Sequence, residues 1–233
     1  MNVLITGARQ GLGACLTKAF LAKGHRVFAL TMPGRGPGEL EAVAGEKALT
    51  ILEADLTRPE EIAAVHTAVG KLTTQLDIIL NVAGVLLGKE RLITENSYHE
   101  LETTFRVNTL APIYINNLFL DLARNSVCPT FLTICSEIRT IDDVGDWFPA
   151  YCISKTATTQ YCFSLKATLK KLGMDARVFA VHPGRMRTAM GGDNSEIGPE
   201  ESAAGILRLA TGEVLPQNEA LYVDYLGRPM LKS

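Results

Sequence analysis

Tyr151 and Lys155 stand four residues apart in Tyr151-Cys152-Ile153-Ser154-Lys155. If that stretch opens a helix, the two side chains lie one above the other on one face. An ammonium beside a phenol favours the phenolate. Such a tyrosine exchanges a proton nearer neutral pH than its free pKa of about 10. A unit charge about 4 Å away, at an effective dielectric of about 20, is worth roughly 4 kcal/mol. That sets an upper limit of about three pK units. The plain alternative is an ordinary helical surface pair. Of the six tyrosines, only Tyr151 has a lysine four residues on. The spacing becomes chemistry only if the rest of the chain supplies a cofactor and a pocket.

The chain's start offers the first of these. Asn2 to Thr6 is a short apolar run, as a strand buried on both faces requires. It runs into Gly7-Ala8-Arg9-Gln10-Gly11-Leu12-Gly13, and Ala14, Leu16, Ala19, Phe20 and Leu21 follow at helical spacing up to Gly24. Glycines let a backbone turn tightly and approach a pyrophosphate, which the unpaired amides and positive end of the following helix then face. A glycine cluster alone is often just a turn. Between a first strand and a first helix it points to a dinucleotide. The second strand, Arg26 to Thr31, ends in Thr31-Met32-Pro33 without the carboxylate that would bind a ribose 2′-hydroxyl. Arg9 in the glycine turn and Arg35 just beyond the strand could reach a 2′-phosphate, so the reading tilts toward NADP over NAD. The alternative is two solvated loop arginines.

The remaining elements place further groups along one edge. A third strand, Leu49 to Glu53, leads to Asp55-Leu56, where an aspartate can meet an adenine amino group or simply form a turn. Thr57-Arg58-Pro59-Glu60 and Ser97-Tyr98-His99-Glu100 both have capping-box spacing. The fourth strand ends in Asn81-Val82-Ala83-Gly84, whose small residues let a flat ligand lie against the backbone. A long apolar helical stretch is expected from residue 97 to about 124. It contains Asn108, and Pro112 should kink it there. The fifth strand ends at Ser136 and the sixth in His182-Pro183-Gly184. Strands and helices alternate throughout. This implies an α/β fold, a Rossmann-type doubly wound parallel sheet of about seven strands with helices on both faces, in one domain spanning residues 1–233. Right-handed crossovers put all strand C-terminal ends on one edge.

Composition narrows the partners. Apolar residues make up 47% and charged residues 21%, with a net charge of −2. That gives no reason to expect nucleic acid or an acidic membrane surface. Five cysteines without a C-x-x-C and four histidines without paired spacing argue against a disulfide framework or a metal site. No apolar run approaches the roughly 18 residues of a membrane span, and no leader pattern opens the chain. A reducing cytoplasm is the expected compartment.

Taken together, the motifs resemble the short-chain dehydrogenase/reductase family over essentially the whole chain. Thr6-Gly7-x-x-x-Gly11-x-Gly13 matches that family's cofactor motif, and Asn81-Val82-Ala83-Gly84 its Asn-Asn-Ala-Gly element, with Val82 replacing an asparagine. Asn108, Ser136, Tyr151 and Lys155 correspond to its catalytic tetrad, and Pro183-Gly184 to its Pro-Gly after the sixth strand. The run from His182 to Gly192, Pro199-Glu200-Glu201-Ser202 and the terminal Tyr222-Val223-Asp224-Tyr225 are similar to the carbonyl-reductase branch that includes sniffer-like and C-factor-like proteins. Ser136 is followed by Glu137 where a serine is more usual, which implies an unusual substrate pocket.

The resemblance implies an NAD(P)-dependent oxidoreductase acting on a small carbonyl or alcohol, with Tyr151 as general acid/base. Lys155 would lower the phenol's pKa and bind ribose, Ser136 would hold the substrate oxygen, and Asn108 would hold a water. The cofactor residues implied are Gly7, Arg9, Gln10, Gly11, Leu12, Gly13, Thr31, Asp55, Leu56, Asn81, Ala83, Gly84, Tyr151, Lys155, Pro183, Gly184 and Thr188. The loops at 85–96, 137–150 and 185–198 would line the substrate pocket, with Trp147, Phe148, Met186 and Met190 as an apolar wall. The helices at 97–124 and 151–171 are the family's usual dimer faces, which implies a homodimer. The competing readings are a cofactor-binding regulator with little turnover, and an interaction scaffold. The scaffold explains neither the glycine turn nor Tyr151.

Overall fold

The computed structural model describes residues 1–89, 91–137, 148–188, 190 and 195–230. Seven strands form one sheet: β1 (Asn2–Thr6), β2 (Arg26–Thr31), β3 (Leu49–Glu53), β4 (Ile78–Asn81), β5 (Thr130–Ile134), β6 (Arg177–His182) and β7 (Tyr222–Asp224). Their order is β3-β2-β1-β4-β5-β6-β7, and every pairing is parallel. The direction of winding reverses between β1 and β4, which opens a crevice at the strands' C-terminal ends.

The strands are apolar on both sides because helices cover both. Val3 and Ile5 of β1 face a core shared with Leu16 and Phe20 of α1 (Gly11–Ala22) and Ile206 and Leu209 of α7 (Pro199–Thr211). Leu4 faces the opposite core. That core also holds Ile62 and Val65 of α2 (Pro59–Gly70) and Leu165 and Leu169 of α6 (Pro149–Lys171). The period-two alternation of strand side chains thus feeds two separate layers. The doubly wound architecture is the one expected from the alternation of elements.

Two local expectations need correction. The stretch from 97 to 124 is not one helix. It runs as α3 (Tyr98–Phe105), a π-helical turn (Arg106–Leu110), α4 (Ala111–Leu118) and α5 (Leu120–Ala123). Pro112 explains the first break. It has no N–H to give to the Asn108 carbonyl four residues back, and that carbonyl instead accepts from Thr158 Oγ1 at 2.8 Å. Ala111 N reaches Arg106 O, the i−5 bond of a π turn. The second correction concerns α2, whose expected capping box does not form: its N-cap is Arg58, with no side-chain cap. Asp55 Oδ1 takes the Thr57 N–H and hydroxyl, at 2.9 and 2.7 Å. The Ser97–Glu100 box does form: Ser97 Oγ accepts from Glu100 N at 3.2 Å, and Glu100 Oε2 from Ser97 N at 2.9 Å.

Candidate active site

The crevice is a cleft of about 1360 Å³ along the C-terminal ends of β1 to β6. It exceeds the usual range for a drug-sized ligand, about 300–1,000 Å³. At one wall the chain leaves β1 through Gly7, at φ +66°, and turns again at Gly11, at φ +55°. These are backbone conformations that favour glycine. A Cβ on Gly13 would stand 2.2 Å from the Gly7 carbonyl oxygen, and one on Gly7 would stand 2.7 Å from Ala83 Cα. The turn is therefore packed as tightly as backbone allows. Thr6 Oγ1 ties it to the end of β4 by accepting from Val82 N at 3.0 Å and Ala83 N at 3.1 Å. Thr188 reaches the turn from the far loop, 3.5 Å from where a Gly11 Cβ would be.

Tyr151 and Lys155 rise from the first turns of α6 into the same cleft. Lys155 is 3% exposed. Its Nζ donates to the Ile134 carbonyl at 2.7 Å and lies 5.7 Å from the centre of the Tyr151 ring. The expected electrostatics are reversed in this geometry. Burial pushes the Tyr151 phenol well above its usual range, with Cys135 and Cys152 adding to the rise. Burial likewise lowers Lys155, against smaller opposing effects of Cys135 and Cys162. Desolvation disfavours both charged forms and is the leading cause of both shifts. Ser136 lines the cleft just beyond β5, and its backbone carbonyl accepts from the Tyr222 hydroxyl.

Asn108 and Asn81 lie behind the wall instead of in it. Asn108 is fully buried. Its Oδ1 accepts from Val85 N at 2.8 Å, and its Nδ2 donates to Val85 O and Ser154 Oγ, both at 3.0 Å. The side chain thus clamps the loop after β4 to α6. Asn108 Oδ1 and Lys155 Nζ each come within 3.5 Å of a Cβ built on Gly84. Asn81 Nδ2 donates to Asn116 Oδ1 at 3.0 Å, inside the layer between β4 and α4.

The other expected residues line the cleft: Gly7, Arg9, Gln10, Gly11, Leu12, Gly13, Thr31, Asp55, Leu56, Ala83, Gly84, Pro183, Gly184 and Thr188. The Asp55 carboxylate spends one oxygen on the Thr57 turn, so the turn-forming alternative is realised. Phe148, Met186 and Met190 line the cleft's other end; Trp147 lies outside the described residues. Glu137 forms a 2.8 Å ion pair with Arg185 across the loops after β5 and β6. Sequence reasoning missed Glu39, which enters the cleft from a short 3₁₀ helix (Gly38–Val43). It also missed Cys135, beside Lys155. Only the position of Cys135 next to Ser136 signalled it; nothing in the sequence signalled Glu39. Among the described residues no group of three or more His, Cys, Asp or Glu is disposed to hold a metal ion. No described helix is long and apolar enough to cross a membrane.

Comparison with known proteins identifies the family. The chain is 30% identical over 198 residues to estradiol 17-beta-dehydrogenase 2 of Rattus norvegicus, a match covering 80% of this chain and 48% of the rat protein. The chain thus spans about half the length of that relative. It is 30% identical over 192 residues to 1-deoxy-11-beta-hydroxypentalenate dehydrogenase of Streptomyces avermitilis, covering 81% of this chain and 70% of the relative. Its fold superposes on the carbonyl reductase Sniffer of D. melanogaster with a TM-score of 0.87 and 26% identity, over 98% of each chain. The short chain dehydrogenase model matches residues 1–197, the span that holds the glycine turn, Ser136, Tyr151 and Lys155, and the chain belongs to that family.

Proposed function

We propose that the chain is an NAD(P)-dependent oxidoreductase that interconverts a small carbonyl compound and its alcohol, with Tyr151 as general acid and base. One observation carries the reading: Ser136, Tyr151 and Lys155 share a cleft with a glycine turn packed too tightly for a side chain at Gly7 or Gly13. That cradle fits a dinucleotide. The amides at the start of α1 would take its phosphates, with Gly7, Arg9, Gln10, Gly11, Leu12 and Gly13 around them. Thr31, Asp55 and Leu56 would border the adenosine. Asn81 would support the wall from behind, with Ala83, Gly84, Pro183, Gly184 and Thr188 at the nicotinamide end. Arg9 and Arg35 both line the cleft beside the end of β2, which supports NADP over NAD. When bound, the nicotinamide supplies or accepts the hydride.

The chain's own residues handle the proton. The Tyr151 phenol would give its proton to the carbonyl oxygen, and take one from the alcohol in reverse. The Ser136 hydroxyl would donate to that oxygen and steady its developing charge. Lys155 would hold ribose and set a positive charge beside the phenolate. Asn108 would hold this arrangement by fixing the loop at Val85. Phe148, Met186 and Met190 favour an apolar carbonyl substrate. Exposed Leu110, Ile153 and Phe163 on the π turn and α6 support a homodimer through those faces.

The test is a carbonyl and alcohol panel run with NADPH and NADH, read by nicotinamide absorbance. Turnover of at least one carbonyl is expected; a silent panel with both cofactors overturns the reading. Its pH dependence has a definite sign. With the phenol's pKa raised by burial, Tyr151 keeps its proton through neutral pH. Reduction should then stay flat there, while alcohol oxidation, which needs the phenolate, should rise with pH. Oxidation that falls between neutral and mildly alkaline pH contradicts the role given to Tyr151.

A further inference from the structure

Residues 35 to 39 fold over the glycine turn and seat a carboxylate on it. Arg9 Nε donates to the Arg35 carbonyl at 3.0 Å, and Glu39 N donates to the Arg9 carbonyl at 3.0 Å. Gly38 is at φ +60°, and a Cβ there would stand 2.6 Å from the Arg9 oxygen and 2.7 Å from Arg9 Cγ. The close approach thus requires glycine. Leu40, fully buried in the core beside α1, anchors the far end of the strap. Between these fixed points the Glu39 carboxylate accepts the Gly11 amide hydrogen at 3.1 Å.

That amide is one of the donors at the start of α1 that have no partner within the helix. It favours any anion brought to it. In the function proposed above, the same turn faces the dinucleotide's phosphates. A phosphate oxygen and the Glu39 carboxylate would compete for the donor and repel one another. We infer that Glu39 is an affinity- and specificity-determining residue, a solvent-exposed carboxylate seated on the glycine turn that a dinucleotide must displace. It stands on the same strap as Arg35, which is hydrogen-bonded to Arg9. The additional charge of a 2′-phosphate therefore meets it along with the two arginines. Glu39 opposes the arginines, so the chain binds NADPH less tightly than they alone would allow.

The inference rests on the proposed function, and calorimetric titration of the full chain separates the two. Glu39→Gln keeps the shape and removes the charge. Glu41→Gln removes a charge from the same 3₁₀ helix, at a residue outside the cleft lining. Glu39→Gln should tighten NADPH about five- to tenfold, the scale of a lost charge–dipole contact, and tighten NADH by less. Glu41→Gln should change either by less than about twofold. Wild-type binding with no gain, or a loss, in Glu39→Gln overturns the inference and leaves the function standing. An equal gain in Glu41→Gln also overturns it, since bulk charge would then explain the effect. A wild-type chain that binds neither dinucleotide overturns the function and the inference with it.

Discussion

Tyr151→Phe should lower turnover by about 10²–10⁴, the usual contribution of a positioned general acid, while dinucleotide affinity stays nearly unchanged. The substitution removes one oxygen and leaves the ring, so the α6 backbone and the Lys155 bond to Ile134 need not move. Ser136 keeps its place at the end of β5. What disappears is the only phenol among the described residues that shares the cleft with a buried ammonium. Measured on the best substrate of the panel, near-normal kcat in this variant would show that the proton travels by another route. A large loss of cofactor affinity would instead mean that the hydroxyl serves binding.

Gly13→Ala should act through geometry, not charge. Its Cβ would meet the Gly7 oxygen at 2.2 Å, the Gly7 carbonyl carbon at 2.7 Å and Ala8 Cα at 3.0 Å. These are backbone atoms, so the turn itself must shift. We expect a stability loss of about 1–3 kcal/mol, as for other overpacked positions, and a cofactor affinity at least about tenfold weaker. Gly70→Ala is the contrast. It lies at the end of α2 with nothing within 4 Å of where the new methyl group would stand, and alanine suits a helix better than glycine. Urea unfolding of both variants, with dinucleotide titration, checks the pair. A Gly13→Ala chain as stable and as tight-binding as Gly70→Ala would contradict the cradle.

Much of this was legible because it is local. The apolar run Asn2–Thr6 and the glycine spacing after it specify a buried strand and a tight turn without help from elsewhere. Ser97 and Glu100 cap α3 as their spacing implies. Pro112 announced a disturbance near Asn108, and the π turn is its form. Nonlocal effects were not legible. Sequence spacing paired Lys155 with Tyr151, but desolvation by the packed surroundings sets the sign of their pKa shifts. Asp55 and Thr57 find each other in a turn that displaces the capping box. Glu39 reaches Gly11 across 28 residues, because Gly38 and Leu40 fix the backbone on either side of it.

The most direct measurement is thermal melting of the wild-type chain with NADPH and with NADH. A ligand that binds only the folded form adds about 2.7 kcal/mol at a hundredfold excess over its Kd. For a chain of this size that raises the melting temperature by roughly 5–10 °C. The cleft described here predicts such a rise with at least one of the two, larger with NADPH. No rise with either, at millimolar concentration, would contradict a dinucleotide site at the glycine turn.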